Sequence, residues 1–161
     1  EKSITDKLNG DACDEPRVAR APGVHYGLGN LIDNAVDFAK REVRVNVSWD
    51  AATARVTISD DGSGYPPALL SKLGEPFVSG RKKKRNSAQR GMGLGLFISK
   101  TLLERSGAKV TFANGNKDGG NNLAGAVVAV EWQRIPTAAG DQNDGVQAGG
   151  SFIRPQALAT A

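Results

Sequence analysis

The chain has one cysteine, one histidine and one methionine in 161 residues, and only 6% of it is aromatic. A lone cysteine, Cys13, forms no internal disulfide and no cysteine-based zinc cluster. That agrees with a reducing compartment, and an ordinary free thiol is preferred to a redox sensor. No run approaches the roughly 18 apolar residues that a membrane span requires, and Glu1 to Asn9 lacks the basic start and apolar middle of a signal peptide. These absences predict a cytoplasmic segment with no direct membrane contact. Net positive charge is also absent outside one place. The net charge is +4, but Arg81, Lys82, Lys83, Lys84 and Arg85 are consecutive, and +4 less those five is −1. A basic loop is present without a basic surface, so nucleic acid is excluded as the expected partner in favour of a local anionic one.

What is there suits a single globular domain, with 39% hydrophobic residues. Residues 1–24 read as an irregular lead-in with a short strand near Ser3 to Lys7, and Pro16 and Pro22 argue against a helix there. From Tyr26 to Ala39, Leu28, Leu31, Ile32, Ala35, Val36 and Ala39 recur at helical steps. Asn30, Asn34 and Asp37 form one polar stripe on the opposite face. Val43, Val45, Val47 and Trp49, then Ala54, Val56 and Ile58, alternate with polar residues around a short connection from Asp50 to Thr53, which predicts a hairpin with one buried face. Continued alternation aims Asp60 inward, where a carboxylate needs a partner.

Pro66 and Pro67 open a short helix with Leu69, Leu70 and Leu73 that Gly74 stops. Periodicity then disappears from Val78 to Met92, a length of loop that is uncommon unless functional. Glycines open an apolar helix from Leu94 to about Arg105, with Gly107 at its end, and strands follow at Lys109–Ala113 and Ala126–Trp132. After Pro136 the composition predicts a disordered tail over 136–161. Strands adjacent in sequence favour antiparallel pairing. The expected fold is an α/β (α+β) two-layer sandwich, a mixed and mostly antiparallel sheet with about three helices on one face and a polar opposite face.

Four stretches carry the chemistry. Asn30-Leu-Ile-Asp-Asn34-Ala offers neutral amide oxygens of the kind that suits Mg²⁺, an ion usually held by few protein ligands with phosphates and water; plain helix surface is the competing reading. In Asp60-Asp61-Gly62-Ser63-Gly64, an inward carboxylate accepts hydrogen bonds only, which suits the exocyclic amino group of adenine and repels the carbonyl of guanine. A simple Asp-Gly turn competes but leaves the inward aim unexplained. Glu75-Pro76-Phe77 heads the basic loop. Gly91-Met-Gly93-Leu-Gly95-Leu places backbone amides at a helix start, where phosphate oxygens can meet them. It matches neither a P-loop nor a dinucleotide-binding fingerprint.

In this order and spacing the four stretches resemble the N, G1, F and G2 boxes of the ATP-binding catalytic domain of bacterial sensor histidine kinases, of the superfamily shared with gyrase, the Hsp90 chaperones and MutL. The resemblance spans about residues 25 to 133, within an expected catalytic domain of 25–135, and implies the Bergerat ATP-binding fold. It also implies ATP and Mg²⁺ as cofactors, Asn34 as the Mg²⁺ ligand, Asn30 as a second catalytic polar contact to the phosphates, and Asp60 as the adenine-binding residue with Gly62 and Gly64 shaping the pocket. The resemblance further implies that Phe77 anchors a lid over about 78–92, whose Arg81, Lys82 and Arg90 would face phosphate, with Gly91, Gly93, Leu94, Gly95 and Leu96 as its hinge and phosphate contact. Many family members carry lysine where this chain has Asp37, so Asp37 stands at an ATP-binding position without the usual basic contact. Asn34-Ala-Val-Asp-Phe-Ala and Thr101-Leu-Leu-Glu-Arg-Ser-Gly-Ala are similar to the RegB/PrrB-type redox-responsive kinases.

Superfamily ATPases place a water-activating glutamate one helical turn before the key asparagine. Here that position is Asn30, an amide that cannot act as general base, which favours a kinase over a hydrolase. The resemblance implies a phosphoacceptor histidine on a dimerisation domain of the same protein, with a response regulator as the next acceptor and a parent protein anchored in the inner membrane. His25 lacks the family's acceptor context and reads as a surface histidine. The alternatives are a nucleotide-binding regulatory module without kinase activity and an ATPase of the wider superfamily.

Overall fold

Alternation of apolar and polar side chains builds the sheet, and helical spacing builds the layer above it. The computed structural model describes residues 2–10, 16–18, 21–76, 94–116, 123–134 and 152–153. In chain order the elements are β1 (Ser3–Gly10), β2 (Arg17–Val18), α1 (Pro22–Phe38), β3 (Glu42–Trp49), β4 (Thr53–Asp60), α2 (Pro67–Leu70), α3 (Gly95–Arg105), β5 (Ala108–Asn114), β6 (Ala126–Gln133) and β7 (Phe152–Ile153). Five strands form one sheet in the order β1-β3-β4-β6-β5. Every pair in it is antiparallel except β1 with β3. The fold is the mixed, mostly antiparallel sheet expected, with α1 and α3 packed over one face.

Register puts the apolar sets in line. Val45 pairs with Ile58, Ile58 with Val128, and Val110 with Val130, so period-2 patterns from separate strands meet on the helix side. Val43, Ile58, Val130, Leu31 and Leu103 are fully buried there, each contributing about 1.5–3 kcal/mol over exposure. The helices α1 and α3 approach closely at Gly27, where a Cβ would stand 2.8 Å from Leu103 Cγ. At the far end of α3, Trp132 Nε1 donates to Ser106 Oγ at 3.0 Å and Ser106 Oγ donates to the Leu103 carbonyl at 2.6 Å, tying β6 to the end of the helix. The opposite sheet face carries Glu42, Arg44, Arg55, Glu131 and Lys109, with ion pairs between Arg44 and Glu42 and between Arg55 and Glu131.

Several elements differ from expectation, among them α2, which ends at Leu70, short of Leu73 and Gly74. Helix α1 starts at Pro22 rather than Tyr26. Proline breaks a helix from its interior, but in the first turn its missing N–H has no intrahelical partner to lose and its fixed φ is helical. The first strand runs on to Gly10, where a Cβ would lie 2.0 Å from Trp49 Cε2, so the absence of a side chain lets the indole cross the sheet edge. In the tail, Phe152–Ile153 pairs in parallel with Arg17–Val18; the rest of 136–161 lies outside the described residues.

Candidate functional site

The last residue of β4, Asp60, shares the helix-side face with Ile58 and is 2% exposed. Its Oδ1 accepts the Gly62 N–H at 2.8 Å and the Ala126 N–H at 3.2 Å, while its main-chain oxygen accepts the Gly125 N–H at 2.8 Å. Among the described residues no donor reaches Oδ2, which leaves that oxygen as an acceptor of fixed position. Burial pushes the carboxyl pKa up, against the two N–H bonds, and the neighbouring Asp61 charge adds to the rise. Tyr65, also raised chiefly by burial and then by the Asp60 charge, lies in the same neighbourhood.

Close backbone approach explains the glycines. A Cβ on Gly62 would stand 2.4 Å from the Phe38 carbonyl oxygen and 2.8 Å from Asp60 Oδ1. On Gly125 it would stand 2.2 Å from the same Oδ1. Gly64 has φ +72°, a left-handed conformation that glycine alone adopts at little cost. Asp61 serves the main chain instead. Its carboxylate accepts N–H bonds from Lys40, Arg41 and Glu42 at 2.8, 3.0 and 3.2 Å, fixing the link from α1 to β3. Burial raises the Asp61 pKa, but the N–H groups of Arg41, Glu42 and Lys40 together outweigh it, and the carboxyl lies below its ordinary value.

The second half of the site joins α1 to the start of α3. Asn34 Nδ2 donates to the Asn30 carbonyl at 2.7 Å, and Asn30 Nδ2 reaches the Gly95 carbonyl at 3.5 Å. A Cβ on Gly95 would stand 3.7 Å from both side-chain nitrogens. The asparagine stripe therefore faces the first turn of α3, whose leading amides have no intrahelical acceptor. With its amide nitrogen tied to the helix, Asn34 presents Oδ1 as its remaining acceptor. Among the described residues no group of three or more His, Cys, Asp or Glu could hold a metal. The donor set fits Mg²⁺ held through one amide oxygen plus phosphate and water, and does not fit a self-standing metal centre.

The structure thus brings together Asn30, Asn34 and Gly95 at one end, and Asp60, Gly62 and Gly64 at the other. Leu94 and Leu96 are half-buried at the head of α3, and Asp37 is exposed in the last turn of α1. His25 is exposed in the first turn of α1. Phe77, Arg81, Lys82, Arg90, Gly91 and Gly93 lie outside the described residues, as does Cys13. Sequence reasoning missed Gly125 and Ala126, which hold Asp60 from the head of β6 and the residue before it, and Asn114, whose side chain grips Tyr65. In sequence the connection between β5 and β6 reads as a turn, and nothing local marks Gly125, at its end, as a partner of Asp60.

Among known proteins, residues 19–134 match the family described as histidine kinase-, DNA gyrase B- and HSP90-like ATPase. The sensor histidine kinase RegB of Cereibacter sphaeroides is 50% identical over 104 residues, covering 62% of this chain and 22% of that protein. The sensor protein CreC of Escherichia coli K12 is 33% identical over 108 residues, 65% of this chain and 22% of its own length. The chain spans about a fifth of these relatives. Among solved structures, the catalytic domain of histidine kinase ThkA superposes with a TM-score of 0.61 at 23% identity, over 81% of this chain and 80% of that one. ShkA, solved at full length with AMPPNP, gives 0.56 at 25% identity, over 80% of this chain and 25% of that one. A match that runs over residues 19–134, most of the chain, settles the affiliation: the chain belongs to the histidine kinase-, DNA gyrase B- and HSP90-like ATPase family, and within it is similar to the corresponding segment of sensor histidine kinases.

Proposed function

We propose that this domain binds Mg-ATP between Asp60 and the Asn30–Gly95 contact beside Asn34 and delivers the γ-phosphoryl group to a histidine on a dimerisation domain, from which a response regulator receives it. The observation that carries the reading is the pairing of an inward carboxylate oxygen with an asparagine cluster facing a helix start. Asp60 Oδ2 accepts the adenine amino group while Gly62 and Ala126 hold Oδ1 still, so no reorientation is required on binding. The leading amides of α3 receive phosphate oxygens. Asn34 Oδ1 would hold the metal ion, which when bound would supply neutralisation of phosphate charge.

Asn30 supplies a donor and no base. An amide leaves water unactivated, whereas a neutral imidazole nitrogen is already a nucleophile near pH 7. The group is thus kept for a positioned histidine, and catalysis is mainly alignment. The basic run from Arg81 to Arg90 complements the nucleotide charge in sequence. The likeness to RegB and CreC supports the kinase reading, as does the nucleotide analogue in ShkA.

The test supplies an acceptor dimerisation domain of a sensor histidine kinase in trans with γ-labelled ATP. Label that appears on that domain in an acid-labile, base-stable form supports the proposal. Release of free phosphate without labelled acceptor supports an ATPase. Neither product, with nucleotide bound, supports a regulatory module.

A further inference from the structure

Both main-chain polar groups of Tyr65 end on one side chain. Asn114, the last residue of β5, accepts the Tyr65 N–H on Oδ1 at 2.7 Å and donates Nδ2–H to the Tyr65 carbonyl at 2.9 Å. The two residues are 49 apart in sequence. Residues 63–66 have no regular secondary structure, and among the described residues the Tyr65 main chain has no other hydrogen-bond partner. Asn114 in effect extends the edge of the sheet by one rung under a loop that would otherwise hang from Asp60.

The packing around the pair agrees. A Cβ on Gly64 would strike Asn114 Oδ1 at 2.7 Å, so the asparagine is seated against the loop as well as bonded to it. The Tyr65 ring meets Phe112, two residues before Asn114, edge to face with centroids 6.1 Å apart. On the other side, Gly115 N–H donates to the Gly125 carbonyl, and Gly125 and Ala126 hold Asp60. One continuous set of bonds therefore runs from the loop through the β5–β6 ends back to the carboxylate.

We infer that Asn114 is a positioning residue for base recognition: it holds the Gly62–Tyr65 loop as a rigid wall beside Asp60, and so sharpens the choice of adenine over guanine. This rests on the nucleotide reading of the site. Asn114 is exposed, so water can replace its amide in a truncation variant. The fold then survives while the loop loosens, which separates positioning from structural support.

The experiment titrates the whole chain with AMPPNP and GMPPNP in Mg²⁺ by calorimetry, for wild type, N114A, G64A and the double variant, with a thermal midpoint for each. N114A is expected to bind AMPPNP about tenfold more weakly and to discriminate less between the bases, with its midpoint nearly unmoved. G64A added to N114A is expected to cost less than G64A alone, because the clash at Oδ1 is gone. If N114A does not fold, N114D carries the test. It keeps an acceptor for the Tyr65 amide but sets a carboxylate against the Tyr65 carbonyl, and a loss of AMPPNP affinity is again expected. A wild type that binds neither nucleotide overturns the reading of the site itself. A wild type that binds AMPPNP, with N114A equal to it in affinity and discrimination or with penalties that simply multiply in the double variant, overturns the role of Asn114 alone.

Discussion

Asp60 and Asp61 are consecutive carboxylates that hold their protons with opposite tendencies, Asp60 above the ordinary 3.8 and Asp61 below it. Burial of Asp60 favours its protonated form in the fold. Its contribution to stability is present below pH 3.8 and is lost as pH rises through the raised pKa, so at neutral pH the charge is carried at a cost. D60N keeps an oxygen for the Gly62 and Ala126 amides and removes that charge. Its thermal midpoint at pH 7 is expected to rise by a few degrees, while adenine nucleotide binding is lost.

Asp61 behaves in the reverse sense. Its depressed pKa contributes stability above pH 3.8 that disappears as pH falls through the lowered value. D61A removes the acceptor for three backbone N–H groups and is expected to cost about 2 kcal/mol in urea unfolding at pH 7. That cost shrinks in acid.

Gly95 separates fold from function. A methyl group there meets Asn30 and Asn34 at 3.7 Å, an ordinary contact, and its backbone does not need a positive φ. G95A should fold at least as well, with up to about 1 kcal/mol gained from helix propensity. It should also bind nucleotide about tenfold more weakly, since the methyl group occupies the gap between the asparagines and the turn proposed to receive phosphate. Calorimetry and thermal unfolding on one preparation check both halves.

At Gly125 the two effects coincide. A Cβ would approach Asp60 Oδ1 to 2.2 Å and the Gly62 nitrogen to 2.6 Å, so G125A must displace the strand end or the carboxylate. Overpacking of this kind costs about 1–3 kcal/mol. Urea unfolding should show it, together with loss of nucleotide binding.

Local patterns carried much of the site. The spacing of Asn30 and Asn34 on one helix face, and the alternation that turns Asp60 inward, belong to single elements and are visible within a few residues of sequence. What escaped is non-local. Ala126 reaches Asp60 across 66 residues, and Asn114 reaches Tyr65 across 49. The parallel pairing of β1 with β3 spans α1, and no pattern within either strand encodes it. Pro22 was misleading for a different reason: the same residue breaks a helix or begins one according to position.

The proposed role of Asn34 Oδ1 as the protein's one ligand to Mg²⁺ makes a prediction about metal dependence. Mg²⁺ added alone should give no heat of binding, and should raise affinity for AMPPNP in wild type but little in N34A. Mg²⁺ that binds the free protein tightly would contradict the donor set described.

The central claim, that Asp60 selects adenine from within an ATP site, is tested most directly by titrating wild type and D60N with AMPPNP and GMPPNP in the presence of Mg²⁺. Saturable binding of AMPPNP alone to wild type, absent from a folded D60N, is the predicted result. Equal binding of the two nucleotides to wild type, or unchanged AMPPNP affinity in D60N, would contradict it.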